Sequence, residues 1–210
     1  MNSYMLKSDY WNNRWKNFLN TGIKCVEEDY HYDMHDIMFL SQMITSKVLF
    51  LLVGVSGSGK TTASTKIENM FDCIVYEQDV MLVEGYDYYQ QTKIYNYMLS
   101  QSNMVCVDAT NLTKDMRERF IIPAQNKGFL IVAIMCDDVE LDVIIQRNHA
   151  RGNMDIEKIR NDVLRIEVPK MFSETNFTVS CMDFFEIFVP LFLTDGTNNM
   201  FDFRKKWIVD

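Results

Sequence analysis

A glycine-rich stretch of the chain has the residues needed to bind phosphate. Residues 51–62 read LLVGVSGSGKTT, and Gly54 to Thr61 within them fit the pattern G-x-x-x-x-G-K-[ST] in full. Glycines let the backbone curl so that successive N–H groups point inward at phosphate oxygens. The start of the following helix adds its positive dipole end. The loop is therefore predicted to hold the β- and γ-phosphates of a nucleoside triphosphate.

The side chains of this loop have separate predicted roles. Lys60 is expected to reach the β- and γ-phosphates as a mobile positive charge, and the Thr61 hydroxyl is placed to ligate Mg²⁺. ATP and Mg²⁺ are thus the expected cofactors. The residues predicted to bind the nucleotide in this stretch are Gly54, Ser56, Gly57, Ser58, Gly59, Lys60, Thr61 and Thr62.

A single acid at the end of an apolar run is the second metal candidate. MVCVDATN places Asp108 at the carboxyl end of a predicted strand, where it suits a contact with Mg²⁺ or with a water molecule. Its alternative role is to cap a turn. A switch GTPase would need an N/T-K-x-D motif, which the sequence lacks, and a motor ATPase would need a longer acidic run. Both observations favour a kinase.

Four stretches follow one another in a recognisable order: GVSGSGKTT (54–62), YEQDVM (76–81), VDATNLTKDMRERF (107–120) and IIQRNHARG (144–152). Together they resemble the polynucleotide-kinase-like P-loop kinases, which include the 5′-hydroxyl polynucleotide kinases of bacteriophages. The resemblance covers roughly residues 48–170. It implies a kinase that takes its phosphoryl group from ATP.

The resemblance also implies roles for individual residues. Asp79 matches the general base that accepts the proton of the acceptor hydroxyl. Arg147 and Arg151 match lid arginines that contact the nucleotide phosphates, and their i, i+4 spacing puts both on one helix face. Asn111 is expected among the nucleotide-binding residues, whereas Arg117 matches a family position without an assigned role. The predicted catalytic residues are Lys60, Asp79, Arg147 and Arg151.

The sequence departs from the phage kinases beside the predicted base. Those enzymes flank the base with arginines that bind the phosphate next to the acceptor hydroxyl, but here Gln78 precedes Asp79 and Leu82 lies three residues after it. The stretch that follows is rich in tyrosine and acidic residues, and tyrosines can stack on bases. The departure leaves a small hydroxylated acceptor open beside a nucleic acid end.

Two other patterns have plainer explanations. LTDGT (193–197) resembles the phosphatase signature D-x-D-G-T, but Leu193 replaces the nucleophilic aspartate, so a turn and no phosphatase is predicted. His31 and His35 lie among carboxylates at helical spacing, which a solvated acidic helix explains as well as a metal site does.

The pattern of apolar runs predicts how these residues are positioned. Short apolar runs alternate with longer amphipathic ones, which indicates an α/β P-loop NTPase fold of three α/β/α layers around a mostly parallel sheet. Pro123 is expected to kink or shorten its helix. The predicted strands are 48–53, 73–76, 104–107, 129–136 and 185–189, and the predicted helices are 60–70, 114–127, 138–150 and 154–167.

The first 47 residues differ from the rest. Trp11, Trp15, Phe18 and Leu19 share one helical face, which predicts an N-terminal helical extension over 1–47 that precedes a kinase domain over 48–210. The extension is expected to pack on the core. Its alternative role is to bind a partner or a second copy of the chain.

Composition limits the remaining possibilities. The net charge of −8 argues against a protein that coats nucleic acid, although basic residues cluster between Arg147 and Lys170. The five cysteines lack CxxC spacing, and no secretory signal or apolar run of membrane-spanning length is present. A cytoplasmic protein without a membrane partner is expected.

The leading hypothesis is an enzyme that transfers the γ-phosphoryl group of ATP to the 5′-hydroxyl of a nucleic acid. The first alternative is a kinase of the same family that acts on a nucleoside, a sugar nucleotide or a hydroxymethylated DNA base. The second is a non-catalytic ATP-binding module whose N-terminal helices contact a partner. The sequence leaves the acceptor, the oligomeric state and the choice between ATP and GTP open.

Overall fold

The computed structural model describes residues 46–137, 139–152, 155–171 and 173–185. The predicted extension over 1–47 therefore lies outside the described residues except for its last two positions, and it stays a prediction. His31, His35 and the LTDGT stretch lie outside them as well.

Strands and helices alternate along the described chain. The strands are β1 (Lys47–Val53), β2 (Ile74–Glu77), β3 (Met104–Asp108), β4 (Phe129–Met135) and β5 (Phe177–Ser180). The helices are α1 (Lys60–Phe71), α2 (Gln78–Val83), α3 (Tyr88–Gln101), α4 (Lys114–Asn126), α5 (Leu141–Ala150), α6 (Ile156–Leu164) and α7 (Cys181–Asp183).

The five strands form one sheet in the order β2-β3-β1-β4-β5, and every neighbouring pair is parallel. β1 lies at the centre, with Leu51 in register with Val107 of β3 and with Ala133 of β4. The chain runs from β1 to the β2 side of the sheet and later crosses to the β4 side. In such sheets a ligand binds outside the carboxyl ends of the strands where the order reverses, and here that point follows β1.

Alternating side chains of β1 bind the two helical layers to the sheet. Phe50 and Leu52 pack against Ile67 of α1 on one face. Leu49 and Leu51 pack on the other face with a second cluster, which includes Tyr95 of α3 and Phe120 of α4. Because both faces are covered, the strand is apolar throughout, as parallel strands usually are. The predicted three-layer α/β fold is confirmed.

The edge of the sheet differs from the prediction. The fifth strand is Phe177–Ser180 rather than 185–189; Phe185 lies in a helical turn, and residues 186–189 lie outside the described residues. Thr178 and Ser180 make this strand look polar in the sequence, yet both are buried. Among the strands of the described residues, β5 pairs only with β4.

The helices also show differences. Helices α2 and α3 were not predicted, although Asp87 and Gln90 form a capping box at the start of α3. Pro123 lies inside α4 and does not end it, since the helix continues to Asn126. Within the described ranges, no helix has the length and apolar character needed to cross a membrane.

Candidate active site

The loop between β1 and α1 depends on its glycines. Gly57 and Gly59 have φ angles of 84° and 101°, which side chains with a Cβ rarely adopt. A Cβ on Gly54 would lie 2.6 Å from Ser58 Oγ, so the backbone can approach this closely only without one. The N–H of Gly54 donates to the carbonyl of Thr110 at 3.0 Å, which ties the loop to the segment after β3.

The start of α1 forms an anion site beneath the loop. Gly59 is its N-cap and no side chain caps the helix. The first N–H groups of a helix have no partner within it, so those of Lys60 and Thr61 are available to phosphate oxygens. The Ser58 hydroxyl is buried and has no hydrogen-bond partner among the described residues. This donor set fits the phosphates of a nucleotide.

Lys60 lies within this anion site, at the start of α1. Its Nζ donates to the carbonyl of Val55 at 2.8 Å, and the side chain is 9% exposed. Burial lowers the pKa of Lys60, the positive charge of Arg151 acts in the same direction, and the carboxylates of Asp108 and Asp79 oppose them. Three charged groups from separate elements therefore lie close enough to Lys60 to act on it.

Asp108 and Thr61 are the oxygen ligands expected for Mg²⁺. Asp108 ends β3, is almost fully buried, and accepts a hydrogen bond from Ser64 Oγ of α1 at 3.2 Å. The same Ser64 hydroxyl lies 3.0 Å from the carbonyl of Thr61. Ser64 thus positions the carboxylate against the helix that carries Thr61. The chemistry of these donors fits Mg²⁺, and their metal role stays a prediction.

Asp79 lies at the same edge of the sheet. Glu77 at the end of β2 is in register with Asp108 of β3, and Asp79 follows two residues later as the second residue of α2. Its side chain is exposed. Asp79 is thus open to solvent beside the strand that ends in Asp108, and its role as the general base stays a prediction.

Helix α5 contacts the loop from the side of β4. Arg147 donates from a guanidinium NH group to the carbonyl of Gly57 at 3.1 Å. Asn148 is 1% exposed and donates to the carbonyls of Ser56 and Ile144, both at 2.8 Å. Arg151 caps the helix and is exposed. The structure thus brings Arg147 to the loop, and Arg151 lies at the end of the same helix.

Asn148 was given no role from the sequence, although it stands next to Arg147 in the quoted RNHAR pattern. A Cβ on Gly57 would lie 2.5 Å from its amide nitrogen, so the glycine and the asparagine fit together. The amide therefore holds the outer part of the loop.

Asn111 and Arg117 support the site from behind. Asn111 has a left-handed backbone (φ 50°), is buried, and donates from its amide to the carbonyl of Leu52 at 2.8 Å. The structure therefore shows Asn111 bonded to the end of β1, and its predicted contact with the nucleotide stays a prediction. Arg117 is fully buried, forms an ion pair with Glu174, and donates to the carbonyls of Leu112 and Glu167. Both residues fix the segment that follows Asp108.

A family comparison agrees with this architecture. Residues 49–173, more than half of the chain, match the model of a family described as an AAA domain. The chain belongs to this AAA-domain family. The match spans the glycine-rich loop, Asp79, Asp108 and helix α5 of the AAA domain. The AAA domain of this chain has a parallel α/β fold in which the glycine-rich loop joins the central strand to the helix that follows it. No curated protein matches the chain significantly.

Solved structures similar to this AAA domain include several kinases. A gluconokinase from Sinorhizobium meliloti is 20% identical, with 64% of this chain and 81% of that chain covered and a TM-score of 0.46. A fungal RNA kinase is 15% identical, with 64% and 74% covered and a TM-score of 0.49. A shikimate kinase from Acinetobacter baumannii is 15% identical, with 66% and 86% covered and a TM-score of 0.43. Likeness at this level carries no conclusion about the substrate.

Proposed function

We propose that this protein is a kinase that transfers the γ-phosphoryl group of ATP to a hydroxyl, with the 5′-hydroxyl of a nucleic acid as its first-choice acceptor. The observation that carries the proposal is that Asp79 and Asp108 follow neighbouring strand ends, with Glu77 in register with Asp108, while Arg147 contacts the loop from α5. A module that only binds ATP needs the loop and Lys60, but it needs neither an exposed carboxylate opposite them nor an arginine lid.

Each group then has a task in an in-line transfer. The loop N–H groups and Lys60 hold the β- and γ-phosphates, and Arg147 and Arg151 stabilise the negative charge that develops on the transferred group. The acceptor oxygen forms a bond to the γ-phosphorus as the bond to the ADP oxygen breaks, and Asp79 takes the acceptor proton. Thr61 and Asp108 would hold Mg²⁺, which would supply positive charge to the phosphate groups.

One observation favours the alternative of a small acceptor. Residues 78–92 contain no lysine or arginine. Next to Asp79 the surface is apolar, with Leu82 57% and Val83 86% exposed. A nucleoside, a sugar nucleotide or a hydroxymethylated base needs fewer phosphate contacts than a polynucleotide does, so this surface suits it better.

The test is phosphoryl transfer from radiolabelled ATP to a panel of acceptors. The panel holds 5′-hydroxyl oligonucleotides of DNA and RNA, nucleosides, sugar acids and a duplex with hydroxymethylated bases, and the product is analysed for the labelled position. Label on the 5′ end of an oligonucleotide supports the first choice, whereas label on a small acceptor alone selects the alternative. ATP binding without transfer to any acceptor contradicts the proposal and indicates a binding module.

The general base is tested in the same assay. Asp79→Asn should lower kcat by about 10²-fold or more with little change in ATP affinity, because base catalysis contributes about that much. Asp115→Asn is the matched control, since Asp115 is also an exposed acid in the first turn of a helix. Lost ATP affinity with a normal kcat at saturation would instead place Asp79 in the nucleotide site.

A further inference from the structure

A pocket lies between α3 and α4, next to strand β2, which precedes Asp79 in the chain. Its volume is about 220 Å³ when the open mouth is included. The floor is Tyr76 of β2, which precedes Asp79 by three residues. Tyr88, at the start of α3, is 65% exposed and stands at the mouth. The described residues that line the pocket are Tyr76, Tyr88, Gln91, Thr92, Tyr95, Arg119 and Phe120.

Arg119 gives this pocket an uncompensated positive charge. Its Nε is buried and meets no hydrogen-bond partner among the described residues. Its guanidinium lies 4.4 Å from the centre of the Phe120 ring, which is an attractive contact but offers no acceptor for an N–H group. No carboxylate is among the described residues that line the pocket. A buried donor on a charged group is costly when it stays unbonded, so the arrangement fits a group that receives its partner from a ligand.

The neighbouring phenols bond to other groups, and neither accepts a hydrogen bond from Arg119 Nε. The Tyr76 hydroxyl donates to the side-chain oxygen of Gln91 at 3.2 Å, and the Tyr95 hydroxyl donates to the carbonyl of Phe120 at 2.8 Å. Burial lowers the pKa of Arg119, although arginine stays protonated at any physiological pH. The side chains of Tyr76 and Tyr95 are therefore held by bonds of their own, and the Nε–H group of Arg119 is left to bind a ligand.

We propose that Arg119 binds an anionic oxygen group of the phosphoryl acceptor, and that this contact selects acceptors with a negative charge beside the reacting hydroxyl. The inference rests on the proposed function and adds to it a charged group that the acceptor carries beside its reacting hydroxyl. For a nucleic acid end, that group is the phosphate on the 3′ side of the terminal nucleoside. The carboxylate of a sugar acid presents the same chemistry.

This assignment accounts for the lack of basic residues next to Asp79. The cation comes from α4, forty residues later in the chain, and reaches the acceptor side because α4 packs beside α3. The enclosed part of the pocket admits little more than a water-sized group. One oxygen of the anion enters toward the guanidinium, therefore, and the rest of the acceptor lies at the mouth against Tyr88.

Direct binding tests the site without relying on catalysis. We would follow the Nε–H resonance of Arg119 by NMR in the full chain, assigned by its loss in Arg119→Lys. The probes are deoxythymidine 3′-monophosphate, gluconate and uncharged thymidine. At least one anionic probe should shift the resonance, and Arg119→Gln should bind that probe about 10- to 100-fold more weakly, the range expected for a charged hydrogen bond. A response to phosphate but not to gluconate, or the reverse, distinguishes the two sources.

The control variant is Lys114→Gln, which removes an exposed charge from the same helix. It should bind both anions as the wild type does, and circular dichroism should show that each variant is folded. If neither anion shifts the resonance more than thymidine does, or if Arg119→Gln binds the responding anion as tightly as the wild type, the anion site is wrong.

Kinetics separate this inference from the proposed function. If 5′-phosphorylation occurs and Arg119→Gln leaves the ratio of kcat/KM for deoxythymidine 3′-monophosphate to that for thymidine unchanged, the function stands and the anion site is wrong. If no acceptor is phosphorylated while Arg119 still binds an anion, the site stands and the function is wrong. Both hold if the ratio falls by about 10-fold or more in Arg119→Gln and stays constant in Lys114→Gln.

Discussion

The nucleotide side and the acceptor side of the site are built in different ways. On the nucleotide side, Lys60 bonds to Val55, Asn148 bonds to Ser56, and Asp108 is held by Ser64. On the acceptor side, residues 78–90 contain no buried residue. The glycine-rich loop is therefore held in shape by bonds within the protein, whereas residues 78–90 offer an acceptor only side chains that are exposed or partly exposed.

This difference has an energetic reason. A phosphate has the same shape in every nucleotide, so its site is served by backbone N–H groups and glycine geometry. Acceptors differ in shape, and their recognition needs side chains on exposed segments that can vary without damage to the core. Substitutions on the nucleotide side should consequently lower the rate of phosphoryl transfer more than comparable substitutions on the acceptor side do.

The largest loss is expected at Lys60. Lys60→Ala should lower kcat/KM for phosphoryl transfer by more than about 10³-fold, because a single preorganised donor to developing charge contributes about 10²–10³-fold and Lys60 also holds the ground-state phosphates. The melting temperature should hardly change, since the variant loses one hydrogen bond but also a costly buried charge. Steady-state kinetics and calorimetry check both parts.

Lys114→Ala is the control for this change, because Lys114 is exposed and pairs only with Glu118 on its own helix among the ion pairs of the described residues. It should retain the wild-type rate. Near-normal turnover of Lys60→Ala would show that the loop does not act on the γ-phosphate.

The buried ion pair behind the loop should dominate stability. Arg117→Met or Glu174→Gln should each lower the free energy of unfolding by about 3–5 kcal/mol, because either change leaves an uncompensated buried partner. The double variant Arg117→Met/Glu174→Gln should cost less than the sum of the two. Urea unfolding measures all three.

The exposed pair Lys114–Glu118 offers the comparison. Its separation is 3.5 Å, yet breaking it with Glu118→Gln should cost less than about 1 kcal/mol, since water screens both charges. Equal costs at the two pairs would mean that burial does not set the stability of this region.

The buried ion pair between Arg117 and Glu174 also shows which contacts the sequence alone does not predict. The loop over Gly54–Thr61 could be predicted with its strand and helix because the required residues are contiguous and the backbone geometry follows from them. Arg117 stood in a recognised pattern, but its partner Glu174 is 57 residues away along the chain. A contact of that separation depends on how helices pack, and no local pattern encodes it.

The missed elements have local reasons. β5 reads FTVS, and a run this short with two hydroxyl residues does not indicate a strand whose four residues are all buried beside β4. α3 places Gln91, Tyr95 and Leu99 on its buried face, and the polar Gln91 obscured the helical period. The capping box at Asp87 and Gln90 was a usable indication of its start.

A smaller effect is expected where α5 contacts the loop. Asn148→Ala removes the hydrogen bonds to the carbonyls of Ser56 and Ile144, which should raise KM for ATP by about 10-fold with a smaller change in kcat. Asn96→Ala is matched, since its amide also bonds to the carbonyl four residues earlier but does so on α3. Equal KM values for the two variants would contradict a role of Asn148 in shaping the loop.

The smallest effect concerns the basic residues of α6, and it decides which acceptor the open side receives. Arg160 and Arg165 are exposed and lie outside the arginines assigned to the loop. If a polynucleotide extends over this surface, Arg160→Glu/Arg165→Glu should raise KM for a 5′-hydroxyl oligonucleotide several-fold without raising it for ATP. The logarithm of affinity should fall with the logarithm of salt concentration by about 0.7 for each phosphate contacted.

The control Lys47→Glu/Lys127→Glu makes the same change in net charge at the opposite edge of the sheet, where β1 and β4 begin. A flat salt response in wild type and in both variants would exclude phosphate contacts of a polynucleotide, and it would favour a small acceptor.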